Sequence, residues 1–127
     1  MRKLVLLLLG LAVGIVGTAN VLNALHRRDA YPRGLMDVMQ HHFAALRDDL
    51  RANRCGPASL EHLKVLRALD GEIGGAVYGE DTPDAPFREY EQRLRDALTS
   101  APAECTGLAP AADKIGAACE DCHRQYR

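Results

Sequence analysis

Cys119-Glu120-Asp121-Cys122-His123 constrains this chain more than any other stretch. It reads C-x-x-C-H, the attachment signature of a c-type haem. Two thiols three positions apart on a helix lie on one face, each able to reach one haem vinyl group. The histidine that follows offers an imidazole nitrogen to the iron. A zinc site would need a second pair of Cys or His ligands at matching spacing, and there is no second C-x-x-C. A thioredoxin-like redox pair opens a helix after a strand, whereas this pair falls near the end of an Ala-rich, helix-like segment. A plain structural disulfide would leave His123 without a purpose.

The rest of the chain is helical in character. Its 127 residues allow one small domain once any targeting segment is set aside. There is no Trp, and outside the first segment there is little β-branched content. Apolar residues recur at three- and four-residue steps. Leu35, Met36, Met39, Phe43, Leu46 and Leu50 form one stripe on a helix beginning near Tyr31-Pro32. Asn53-Arg54-Cys55-Gly56-Pro57 ends it. A second helix is expected over 58–77, with Leu60, Leu63, Leu66, Leu69, Ile73 and Val77 inward. Gly71, Gly74 and Gly75 weaken its end or admit a close neighbour. A third follows Asp84-Ala85-Pro86, with Asp84 as its cap and Phe87, Tyr90, Leu94 and Leu98 inward. The fourth runs over 108–126, with Leu108, Ala112, Ile115, Cys119, Cys122 and Tyr126 on one face. The expected fold is all-α, an antiparallel up-down-up-down four-helix bundle with haem bound by the C-terminal helix.

Residues 1–19 carry Arg2 and Lys3, an unbroken apolar run over 4–16 and the small residues Gly17-Thr18-Ala19, the pattern of a signal peptide. Residues 4–25 also read as an uncleaved N-terminal membrane anchor, since apolar residues continue to Leu25. Both readings put the domain at 31–127 in the periplasm, free or tethered to the inner membrane. Without residues 1–19 the chain holds 14 basic and 17 acidic side chains, a net of -3. No basic stripe with interleaved aromatics points to nucleic acid. The mild negative charge weakly favours redox partner proteins with a basic patch.

With these elements placed, the chain resembles the cytochrome c′ family (class II c-type cytochromes) from Tyr31 to Arg127. In that family an aromatic residue and an arginine follow the haem motif after two intervening positions, as Tyr126 and Arg127 do here. The resemblance implies one covalent haem c on Cys119 and Cys122, with His123 as the proximal ligand and Arg127 near the haem edge. Tyr31-Pro32-Arg33-Gly34-Leu35-Met36 matches the family's first helix, where Met36 falls at the position over the distal haem face. Pro32 and Arg33 replace the family's usual Arg-Gln pair, a departure from the family's polar contacts to the haem propionates in which Arg33 remains a candidate for one of them. The loop between the second and third helices is shorter than is usual in the family, and the third helix lacks the family's common Trp. Family members often form homodimers through their first two helices.

Met36 sets the functional subtype. Bound to iron, a thioether favours the ferrous state and suits one-electron transfer. Unbound, it covers a five-coordinate haem that takes nitric oxide or carbon monoxide. No distal His/Arg pair is placed for peroxidase chemistry, so the chain reads as a carrier and not an enzyme. His41, His42 and His62 read as solvent-facing or partly buried side chains rather than ligands, and His26 falls in the segment that is either removed or a membrane-proximal linker. Cys55 and Cys105 fall in the first and third inter-helix loops. These share an end of an up-down-up-down bundle, so a disulfide is expected, with two unpaired thiols as the alternative.

Overall fold

The computed structural model describes residues 2–126 and, within them, says nothing of the side chains of residues 25–29. It contains α1 (Arg2–Arg51), α2 (Pro57–Asp70), α3 (Ile73–Tyr78), α4 (Ala85–Ser100) and α5 (Leu108–Gln125). Among the described residues there is no strand.

The first helix departs from expectation. It does not begin at Tyr31-Pro32 but runs unbroken from Arg2, with Pro32 inside it. Proline removes one backbone donor and costs a helix interior about 3 kcal/mol. Between Leu22 and Pro32, however, there is no glycine or turn-forming pair to end the helix. Residues Arg2–Ala24, 23 in all, form a stretch long and apolar enough to cross a membrane, with none of it buried against the rest of the protein. At about 1.5 Å per residue it exceeds the ~30 Å hydrocarbon thickness of a bilayer.

From Leu35 onward α1 is amphipathic and packed. It lies mainly against α2 and also touches α3 and α5, while α4 lies on α5 and touches α2. The contacts thus close a ring of α1, α2, α4 and α5 around one core. Phe87, Leu46, Leu63, Leu98, Leu108 and Ile115 are its fully buried large side chains. Each was an inward position of the periodic stripes.

The second expected helix is two. Helicity breaks after Asp70, and α3 restarts at Ile73. Gly71 supplies the weak point, since its backbone loses most freedom in a helix. The new helix carries Val77 to the surface, 43% exposed, against its expected inward place. Gly74 has the role of admitting a neighbour: a Cβ there would lie 3.2 Å from the Glu91 Oε1.

Helix ends are held by side chains. Asp84 caps α4 by accepting from the Phe87 N–H at 2.8 Å, and also accepts from the hydroxyls of Tyr78 (2.8 Å) and Tyr126 (2.7 Å). One carboxylate therefore joins the ends of α3 and α5 to the start of α4. These three hydrogen bonds, led by that to the Phe87 N–H, hold its pKa below the usual range. Arg67 of α2 donates to the carbonyls of Leu98 (2.9 Å) and Ala101 (2.6 Å), satisfying the last turn of α4 with a positive charge. Cys55 and Cys105 form a disulfide across 50 residues, as the loop placement predicts.

Candidate haem site

α5 brings Cys119 and Cys122 to the inward side at its last two turns, where both are half-buried free thiols. Burial pushes the Cys119 thiol up to about 11, with the neighbouring Cys122 adding to the effect. Burial and then the Glu91 carboxylate push the Cys122 thiol up as well. His123 follows on the exposed side of the last turn.

These three residues border a cavity of about 220 Å³ whose opposite wall comes from α1. There Met36, half-buried, faces the same space as the thiols, beside the core residues Met39 and Phe43. Leu66, Ile73, Phe87, Leu94, Leu98 and Ile115 complete an apolar lining. The residues that sequence periodicity assigns to α1 and those of the C-x-x-C-H motif, more than 70 positions apart by their numbers, therefore meet at one place. Gly116 shapes this wall, because a Cβ there would sit 3.2 Å from the Phe43 Cζ. A glycine lets the phenyl ring lie directly on α5.

Five side chains with polar groups at the cavity are not among the expected site residues: Gln40, Arg47, Tyr90, Glu91 and Glu120. Gln40 and Arg47 lie four and eleven positions after Met36, the helical spacing of one face. That spacing was the available signal. The Arg47 guanidinium lies 5.5 Å from the centre of the Phe43 ring, which gives it a cation–π contact at the cavity edge. Glu91 is tied back through Arg95 (3.4 Å) to the buried Asp70 (3.0 Å), so a chain of ion pairs runs from the cavity to the end of α2.

Arg33 is exposed on α1 and is not among the cavity-lining residues. Arg127 lies outside the described residues. Tyr126, half-buried, turns its ring edge-on to Phe87 (5.2 Å between centroids) rather than into the cavity. Among the described residues no group of three or more His, Cys, Asp or Glu side chains is arranged to hold a bare metal ion.

Chemically the cavity offers two thiols one helical turn apart, an imidazole beside them and a thioether across an apolar gap. Thiolate character is low at neutral pH because both cysteines are desolvated. No family model, no curated protein and no solved structure matches the chain.

Proposed function

We propose that the chain is a c-type cytochrome of the cytochrome c′ kind, a four-helix bundle that carries one covalent haem and transfers single electrons on the periplasmic side of the membrane. The observation that carries this reading is the meeting of Met36 with Cys119, Cys122 and His123 around one apolar cavity. The donor set fits the group. Cys119 and Cys122 would each form a thioether to a haem vinyl, and His123 would bind the iron as a neutral imidazole.

When bound, the haem supplies an iron centre that takes up and releases one electron. The protein's part is to hold that centre in a fixed, largely dry setting. Leu66, Leu94 and Ile115 exclude water. Met36, a soft and neutral donor, would be a second protein ligand to the iron in this reading and would favour the reduced state. Arg47, which lines the cavity, would offset the charge of a haem propionate. The apolar first half of α1 is the export signal or membrane tether.

The reading is tested by the optical and electron paramagnetic resonance spectra of the matured ferric protein and of Met36→Leu. A low-spin wild type, unresponsive to nitric oxide, that becomes high-spin and ligand-binding in Met36→Leu supports electron transfer with Met36 ligation. A wild type that is already high-spin and takes nitric oxide would assign the cavity to gas binding instead.

A further inference from the structure

Away from the cavity, on the contact between α1 and α2, two histidines face each other. The Nδ1 atoms of His42 and His62 are 2.8 Å apart, with ring centroids at 5.1 Å. Both rings are half-buried, and neither borders the cavity. His41 abuts His42 edge-on, at 5.4 Å between centroids.

Two imidazole nitrogens this close need something positive between them. In water neutral imidazole carries its proton mainly on Nε2, which would leave two Nδ1 lone pairs pointing at one another. One remedy is a shared proton, with one ring forced into the less common tautomer. The other is a cation bound to both lone pairs. Metal–imidazole bonds of about 2.0–2.1 Å at angles between a right angle and the tetrahedral value put the two nitrogens roughly 2.9–3.4 Å apart. The observed separation reaches that range with a shift of a few tenths of an ångström or less at the near end.

We propose that His42 and His62 form a binding site for a divalent first-row transition cation, separate from the haem cavity, which staples α1 to α2. Two imidazoles with solvent completing the shell suit Cu²⁺ best, with Ni²⁺ and Zn²⁺ weaker, by ligand type and the usual affinity order. The site lies in the part of α1 that packs on the domain, on the same helix as Met36, so an ion held there fixes the wall of the cavity without entering it.

The test is calorimetric titration, with Cu²⁺ and with Zn²⁺, of the full-length chain in detergent with its Cys119 and Cys122 thiols carrying haem or alkylated beforehand so that they take up no metal, alongside His42→Gln, His62→Gln, the double variant and His41→Gln. The expected result is one site per chain, tighter for Cu²⁺, weakened at least tenfold by either substitution and no further by both. His41→Gln should stay within about twofold of wild type, as expected of a neighbour rather than a ligand. Histidine-ring nitrogen spectra of the wild type during Zn²⁺ addition read the same claim without relying on any variant: both Nδ1 signals should move together and saturate with one ion. Uptake equal in all variants, no uptake of either cation, or an Nδ1–H···Nδ1 hydrogen bond that persists in excess Zn²⁺ would overturn the proposal.

Discussion

The two cysteine pairs have opposite surroundings, and the contrast organises the molecule. Cys55 and Cys105 join the α1–α2 and α4–α5 links, and Leu46, Leu63 and Leu108, none of which borders the cavity, are each at most 1% exposed. Along α5, roughly 20 Å away from Leu108 at 1.5 Å per residue, Cys119 and Cys122 stand unpaired at a cavity. The closed end is covalently tied and densely packed. The open end is bordered by half-buried Met36, Cys119 and Cys122, and the Asp84 hydrogen bonds join α3, α4 and α5. Close packing stabilises a fold, but a site for a large group requires that some of it be given up. This chain keeps the two in different places.

The largest effect should come from opening the closed end. Replacing Cys55 and Cys105 by Ser removes a 50-residue cross-link, and the chain-entropy account assigns such a link about 4 kcal/mol. Denaturant unfolding of the variant reads this directly, and a change under about 1 kcal/mol would break the comparison. Next, Leu46→Ala should cost roughly 3 kcal/mol through the cavity it leaves. Met36→Leu, a change of similar volume at the open end, should cost less than about 1.5 kcal/mol while altering the spectrum of the matured protein. Equal losses at the two sites would mean that the open end is packed like the closed one.

Smaller effects distinguish the two carboxylates. Ionised Asp84 is favoured in the folded state, so its contribution is present above the unfolded pKa and is lost as pH falls through the depressed folded value. Asp84→Asn keeps an acceptor for the cap but should flatten the acid decline in melting temperature. Asp70 behaves in the opposite sense. Burial raises its pKa despite the Arg95 hydrogen bond. Its favourable, protonated contribution is present below the unfolded pKa and fades as pH rises through the folded one. Melting curves of Asp70→Asn across that acid range should lack this opposing slope, and its persistence would assign the slope to another group.

Much of this was legible from residue spacing. The helical stripes named the core, because burial in a helix repeats every three to four residues. Asp84 announced itself as a cap by preceding Ala85-Pro86. The Cys55–Cys105 bridge followed from loop placement alone. Other features depend on tertiary context. The extension of α1 through Pro32 is one, since proline suits a first helical turn as well as it marks a break. The break at Gly71 is another, because a glycine inside a periodic stripe tolerates either outcome. Of the candidate site, the motif residues and Met36 are legible from motif and position, while Gln40 and Arg47 stand out only by their helical spacing from Met36. The His42–His62 pair required knowing how α1 and α2 are rotated against each other, which periodicity leaves open.

The central claim is that the open end holds a covalent haem on Cys119 and Cys122. The most direct measurement is the mass of the denatured protein after expression with a cytochrome c maturation system, together with alkylation of its thiols. The account predicts the mass of one haem retained through denaturation and acid extraction. No cysteine should then be open to alkylation without reduction, and retention should be lost in Cys119→Ala/Cys122→Ala. A haem-free mass with Cys119 and Cys122 both alkylated would contradict it.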